Sequence, residues 1–164
     1  MRGKLRPDAV ASSVHEVDYA RLRQLGITAL VFDLDNTLCC WRAGPPDRAT
    51  LALLARLKQG GFQIAVLSNG RLDRRPAVPE AFAQLEVPLI WPAGKPAGRG
   101  IRRALAAAGA RPHQAAMIGD QLLTDVLGGN LAGLYTVLVP PLCPGQEHPF
   151  TRANRWLERL LGRR

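Results

Sequence analysis

The stretch that decides the fold is "ALVFDLDNTL", residues 29–38. Four apolar residues, of the kind found in buried strands, lead into Asp33, and Asp35 follows two positions later. An aspartate at the end of a buried strand is unfavourable unless something nearby uses its charge. Because alternate residues of an extended chain point to the same side, Asp33 and Asp35 are predicted to lie together. The stretch therefore predicts a central strand that ends in a metal site where a reaction takes place.

On both sides of this stretch, segments that predict strands alternate with segments that predict helices. The predicted strands cover residues 27–34, 62–68, 87–91, 114–120 and 134–140, and the predicted helices cover 15–26, 46–61, 78–85, 98–110 and 121–127. The "GGN" at 128–130 predicts the end of the last helix. Regular alternation of this kind predicts an α/β fold of three layers, a doubly wound, Rossmann-like parallel sheet with helices on both faces.

Length and composition predict one domain over residues 1–164. The chain has 164 residues, 47% of them apolar, which suffices for one hydrophobic core. It contains no apolar run of about 18 residues and no secretory signal near its first residue, so we expect a cytoplasmic protein. Its three cysteines, Cys39, Cys40 and Cys143, show no CxxC spacing. They are expected to be reduced, with Cys39 and Cys40 as packing residues, rather than disulfide-bonded or bound to zinc.

The chain is strongly basic, with 22 Lys and Arg against 13 Asp and Glu and a net charge of +9. This balance favours contact with anions, which include nucleic acid, an acidic membrane surface and a phosphorylated substrate. It is equally compatible with a merely arginine-rich composition. A Pro-rich connector begins near residue 140, and residues 151–164 predict a basic amphipathic helix. That helix is expected either to pack on the domain or to lie on an anionic bilayer.

Polar residues follow four of the predicted strands. They are Asp33 and Asp35 after the first, Ser68 and Asn69 after the second, Lys95 after the third, and Asp120 and Asp125 after the fourth. The carboxyl ends of the strands in such a sheet meet at one edge, where sites form. Crowded carboxylates repel one another unless a cation lies among them, and oxygen ligands of this kind suit Mg²⁺. A lysine and a hydroxyl beside that cation suit the oxygens of a phosphate.

Four short motifs, in this order, resemble the four motifs of the haloacid dehalogenase (HAD) superfamily. They are "DLDNT" at 33–37, "SNG" at 68–70, "KP" at 95–96 and "GDQLLTD" at 119–125. The longer stretch "GDQLLTDVLGGNLAGLYTVLV" and the trailing "TRANRWLER" are similar to subfamily IIIA, in particular to YqeG-type phosphatases, which are related to phosphatidylglycerophosphate phosphatases. The resemblance covers nearly the whole chain and implies a phosphoric monoester hydrolase.

The resemblance implies a role for each polar residue at the strand ends. Asp33 would be the nucleophile that forms an aspartyl-phosphate and a ligand of Mg²⁺. Asp35 would be the general acid and base and would offer its backbone carbonyl to the metal. Ser68, helped by the Asn69 backbone N–H, would bind the phosphoryl group.

The remaining roles concern charge. Lys95 would neutralise the phosphate and the nucleophile. Asp120 would bind Mg²⁺, and Asp125 would bind it directly or through water. Gly70 departs from the family pattern, which has asparagine there, and this affects the substrate contacts expected beside Ser68.

The spacing of the motifs leaves no room for a cap domain. Between Asp35 and Ser68 there are 32 residues, and between Ser68 and Lys95 there are 26, each filled by one helix and its flanking strand. A capless site admits a phosphate attached to something large, such as a lipid headgroup at a membrane. Together with the positive charge, the resemblance favours phosphatidylglycerophosphate, a step of phospholipid biosynthesis.

Other functions stay open on the sequence alone. One alternative is a general or nucleotide-directed phosphatase of the same superfamily. Another is a nucleic-acid-binding or ribosome-associated protein whose site is regulatory, a class in which salt-steep RNA binding is expected. Two other folds are disfavoured, because a response-regulator receiver needs an aspartate where Trp91 follows the third strand, and a dinucleotide-binding fold needs a GxGxxG after the first.

Overall fold

The computed structural model describes residues 3–145 and contains one six-stranded, wholly parallel sheet. Its strands are β1 (Ala9–Val10), β2 (Ala29–Asp33), β3 (Gln63–Leu67), β4 (Leu89–Ile90), β5 (Ala115–Gly119) and β6 (Tyr135–Leu138). Their order across the sheet is β1-β6-β5-β2-β3-β4, so the chain leaves the central β2 first towards one edge and later towards the other. The predicted doubly wound α/β fold is thereby confirmed.

Helices connect the strands. They are α1 (Tyr19–Gln24), α2 (Arg48–Gln59), α3 (Ala77–Gln84), α4 (Arg99–Ala107) and α5 (Leu127–Ala132), with 3₁₀ turns at Val14–Glu16 and Pro112–Gln114 and a π-helical turn at Leu122–Val126. The Asp47 side chain starts α2, because its carboxylate accepts the backbone N–H of Thr50 at 2.8 Å.

Apolar side chains cover both faces of the sheet, as expected for a strand buried on two sides. All five residues of β2 are buried. Leu30 and Phe32 belong to the core beneath α1, α2 and α3, which includes Leu54. Ala29 and Val31 face the opposite core, which α4 lines. Because both faces of β2 are covered, Asp33 lies at the end of a strand that is buried along its whole length.

Several elements differ from the predictions. The helix predicted at 15–26 is divided, because the Asp18 carboxylate accepts the Arg21 backbone N–H at 2.8 Å and starts α1 there. The third predicted strand is reduced to the two residues of β4, which lies at the sheet edge and, within residues 3–145, pairs only with β3. Strand β1 was not predicted, because two residues carry no periodic signal; Ala9 pairs with Val137.

No helix within the described part of the chain is long and apolar enough to cross a bilayer. The basic helix predicted at 151–164 lies outside the described residues.

The prediction of three reduced cysteines is wrong for two of them. Cys40 and Cys143 form a disulfide whose Cα atoms are 5.5 Å apart, within the range that such a bond requires. The Leu142 N–H donates to the Asn36 carbonyl at 2.7 Å, and this contact brings the connector to the loop after β2. Because 103 positions separate the two cysteines, no spacing rule points to the pair. Cys39 is free and buried, as predicted.

This pairing predicts the number of titratable thiols. Air-oxidised protein, unfolded without reductant, is expected to expose one thiol to a thiol-specific reagent, and three after reduction. In the folded protein Cys39 is expected to react slowly, because burial raises the pKa of its thiol to about 11. The Cys143→Ser variant is the control, with two thiols in the unfolded, unreduced state. Three thiols in the unreduced wild type would contradict the pairing.

Candidate active site

A buried group of charged side chains lies at the carboxyl ends of β2 and β5. Asp33, the last residue of β2, forms an ion pair with Lys95, whose ammonium also donates to Asp125 Oδ1 at 2.7 Å. Asp33 and Lys95 are only 4% and 7% exposed. Asp33, Asp120 and Asp125 each offer a carboxylate oxygen, and these oxygens lie within 4.8 Å of one another. Four of the seven predicted site residues are thus brought together.

Thr37, which is not among the predicted site residues, also belongs to this group. Its hydroxyl lies 3.2 Å from Asp33 Oδ2 and 3.4 Å from Asp120 Oδ1. The chain turns back to place it there through Asn36, whose φ of 65° lies in the left-handed region that asparagine tolerates. A hydroxyl four residues after the first aspartate of the DxD pair was the signal available in the sequence.

The charges of the group are out of balance. Burial raises the pKa of Asp33 well above its ordinary value; the Lys95 ammonium opposes this, and the carboxylates of Asp125 and Asp120 reinforce it. Burial also works to lower the pKa of Lys95, but the carboxylates of Asp125 and Asp33 outweigh it and raise that pKa.

The net charge and the ligand atoms of this group show whether a metal ion fits there. Three carboxylates and one ammonium, all ionised, carry a net charge of −2, which one divalent cation would cancel. Carboxylate oxygens are also the ligand type that hard divalent cations prefer. The donor set and the charge of this group therefore both fit such an ion.

Asn69 holds the Lys95 loop in place through its side chain. Its amide oxygen accepts the Lys95 backbone N–H at 2.9 Å, and its amide nitrogen donates to the Lys95 carbonyl at 3.0 Å. This reciprocal pair fixes the main chain from which the lysine side chain reaches Asp33. The predicted role of Asn69 concerns only its backbone N–H, towards phosphate, and does not include this side-chain contact.

Asp35 and Ser68 form a second group beside the first. Asp35 Oδ2 accepts the Ser68 hydroxyl at 3.0 Å, and that hydroxyl accepts the Gly70 N–H at 2.9 Å. Asp35 Oδ1 accepts a hydrogen bond from Arg75 Nη1, with 2.5 Å between the two atoms. The Asp35 carboxylate is not among the clustered carboxylates. Its side chain instead pairs with Ser68 and Arg75, which is compatible with the prediction that Asp35 offers its backbone carbonyl to the metal. Arg75 was not predicted.

Two glycines leave room for these carboxylates. A Cβ added to Gly119 would lie 2.6 Å from the Asp125 Cβ and closer still to its carboxylate. A Cβ added to Gly70 would lie 2.9 Å from Asp35 Oδ2. The absence of a side chain at Gly70 thus lets Asp35 lie against Ser68.

Comparison with known proteins identifies relatives over most of the chain. The HAD-hydrolase-like family model (Hydrolase_like) matches residues 92–141. Over 155 residues the chain is 32% identical to "Probable phosphatase YqeG" of Bacillus subtilis, covering 94% of this chain and 88% of that protein. Over 150 residues it is 35% identical to the chloroplastic phosphatidylglycerophosphate phosphatase 1 of Chlamydomonas reinhardtii, covering 88% of this chain and 55% of the algal protein. The chain thus spans about half the length of this second relative.

Solved structures share the fold. The cobalt-bound form of deoxy-D-mannose-octulosonate 8-phosphate phosphatase from Haemophilus influenzae superposes with a TM-score of 0.55 at 20% identity. The superposition covers 70% of this chain and 66% of that one.

Proposed function

Because the chain belongs to the HAD-type phosphatases, we propose that it hydrolyses phosphatidylglycerophosphate with Mg²⁺ as cofactor, through an aspartyl-phosphate formed on Asp33. The observation that carries this proposal is the buried group of Asp33, Lys95, Asp120 and Asp125, with Asp35 beside it. Hydrolysis of a phosphate monoester requires a nucleophile, an acid and concentrated positive charge. This edge of the sheet offers the first two and the Lys95 ammonium, and a bound divalent cation would supply the remaining positive charge.

The first step joins Asp33 to phosphorus. The Asp33 carboxylate attacks, the bond between phosphorus and the ester oxygen breaks, and its electron pair goes to that oxygen. The Asp35 carboxyl gives its proton to the departing oxygen, so the alcohol leaves neutral. The Lys95 ammonium holds Asp33 and offers positive charge to the phosphoryl oxygens, and the Ser68 hydroxyl and the Asn69 backbone N–H bind them.

The second step releases phosphate. A water oxygen attacks the phosphorus of the aspartyl-phosphate while the Asp35 carboxylate accepts a proton from that water. The bond between phosphorus and Asp33 breaks, and its electron pair restores the carboxylate. Asp33, Asp120 and Asp125, together with the Asp35 carbonyl, would hold a divalent cation, which would supply positive charge to the transferring group.

Three observations support a large anionic substrate such as a phospholipid headgroup. The algal relative is named for phosphatidylglycerophosphate. In the described chain the connections from β2 to α2 and from β3 to α3 contain no inserted domain, so a bulky phosphate ester meets no cap. The net charge of +9 attracts anions to the surface. Peripheral contact with an anionic membrane follows from the same charge and is part of the proposal.

The test is release of phosphate from phosphatidylglycerophosphate in mixed micelles, beside p-nitrophenyl phosphate and a nucleoside monophosphate. We expect kcat/KM for the lipid to exceed that for each of the other two by about 10-fold or more, roughly 1.4 kcal/mol of added transition-state binding. Chelation of divalent cations is expected to abolish turnover, and added Mg²⁺ to restore it.

Other outcomes decide between the alternatives. Turnover of the nucleotide or the aryl ester alone would contradict the lipid proposal and leave a general or nucleotide-directed phosphatase. No turnover of any ester, with salt-steep RNA binding by the folded protein, would overturn the enzymatic proposal in favour of a nucleic-acid-binding protein.

A further inference from the structure

Arg75 connects the Asp35 carboxylate to the loop that follows β2. We infer that Arg75 is a positioning residue, which holds one oxygen of Asp35 so that the other faces the departing group. This inference rests on the proposed role of Asp35 as general acid and base. It concerns a residue that lies in the connection between β3 and α3, 40 positions from Asp35 in sequence.

The guanidinium of Arg75 uses all three of its nitrogens. Nη1 donates to Asp35 Oδ1 at 2.5 Å, and Nε donates to the Ala43 carbonyl at 2.8 Å. Nη2 lies 3.2 Å from Cys39 Sγ and 3.4 Å from the Gly44 carbonyl oxygen. A planar, rigid fork is needed to make these contacts at once, and a lysine ammonium at the same place cannot reproduce them.

The pair is shielded from solvent. The Arg75 side chain is 11% exposed and the Asp35 side chain is 17% exposed. A charge-assisted hydrogen bond in such surroundings is stronger and more directional than one on an open surface. The Arg75 contact therefore restricts rotation of the Asp35 carboxylate far more than an exposed ion pair would.

The two oxygens of Asp35 then differ in function. Oδ1 accepts from Arg75 in either protonation state, as a carboxylate oxygen or as the carbonyl oxygen of the acid. Oδ2 lies 3.0 Å from the hydroxyl of Ser68, the residue proposed to bind the phosphoryl group. The proton that passes to the ester oxygen, and later returns from water, is therefore carried on Oδ2.

The leaving group provides a selective test. An alkoxide needs a proton as it departs, whereas p-nitrophenolate is stable without one, so loss of a positioned acid slows formation of the aspartyl-phosphate only for the alkyl ester. Because kcat/KM reports the steps up to departure of the alcohol and not the later attack of water, for Arg75→Ala we expect kcat/KM to fall about 10- to 100-fold on the alkyl phosphate that the wild type hydrolyses fastest, and less than about 3-fold on p-nitrophenyl phosphate. Asp35→Asn should show the same selectivity with a larger loss.

Three further variants complete the design. The double variant Arg75→Ala/Asp35→Asn should be no slower than Asp35→Asn, since Arg75 acts through Asp35. Arg75→Lys keeps the charge, serves if the alanine variant does not fold, and should also lose activity mainly on the alkyl ester. Arg74→Ala removes an exposed neighbouring arginine and should change neither substrate's kcat.

The results distinguish the positioning role of Arg75 from the proposed role of Asp35 as general acid. Equal losses of kcat/KM on both substrates for Asp35→Asn would overturn the proposed acid. If Asp35→Asn is selective while the Arg75 variants are active as wild type, or lose both activities equally, the positioning role of Arg75 is overturned and the acid stands.

Discussion

We expect replacement of Asp33 with asparagine to slow phosphate release by about 10⁴-fold or more, because the amide cannot form the bond to phosphorus. The substitution keeps the size and shape of the side chain, and Lys95 retains its 2.7 Å contact with Asp125. The measurement is kcat on the best substrate, together with acid-quenched protein after reaction with a ³²P-labelled ester. Wild type is expected to carry label on Asp33, and the variant none.

Thermal unfolding of the Asp33→Asn variant tests whether its loss of activity comes from the missing nucleophile rather than from unfolding. Burial raises the pKa of Asp33, so the ionised carboxylate is disfavoured in the folded protein relative to the unfolded chain. A neutral asparagine removes that penalty, and the metal-free variant should melt no lower than wild type. Asp47→Asn, at the start of α2 and outside the buried group, is the matched control and should keep full activity. Residual turnover within 10-fold of wild type would exclude Asp33 as nucleophile.

The central strand and its polar end could be predicted because their signal is local. Residues 29–32, which precede Asp33, are all apolar. Such a run is typical of a central strand of a parallel sheet, which is buried on both of its faces. The polar residues at the four strand ends then follow from topology, which gathers carboxyl ends at one edge. The structure accordingly brings Asp33 to Lys95 across 62 positions of sequence.

Features that depend on distant contacts could not be predicted. Arg75 lies among other arginines, and nothing local distinguishes it from exposed Arg74. The helix end predicted at Gly128 and Gly129 is wrong, because both lie inside α5. A Cβ on Gly129 would lie 2.6 Å from Thr136 Cγ2, so this glycine serves close packing of α5 on β6 rather than a turn.

Gly100→Ala is expected to destabilise the protein strongly, although alanine normally favours a helix by about 1 kcal/mol over glycine. Gly100 lies in α4, and a Cβ there would lie 2.8 Å from the Ala93 Cα and 2.9 Å from its carbonyl carbon. These are backbone atoms, which cannot rotate away, so the helix or the loop must shift. We expect a loss of about 3 kcal/mol in the free energy of unfolding and a melting temperature lower by roughly 10 °C.

The same clash should reach the site, because Ala93 precedes Lys95 by two residues and its displacement moves the loop that Asn69 holds. Activity at a temperature where the variant is still folded is therefore expected to fall as well. Gly98→Ala is the matched control two positions earlier, where a Cβ would approach only the mobile end of the Arg102 side chain. That control should change stability by less than about 1 kcal/mol. If Gly100→Ala were as stable as Gly98→Ala, the close approach of α4 to the loop that carries Lys95 would be contradicted.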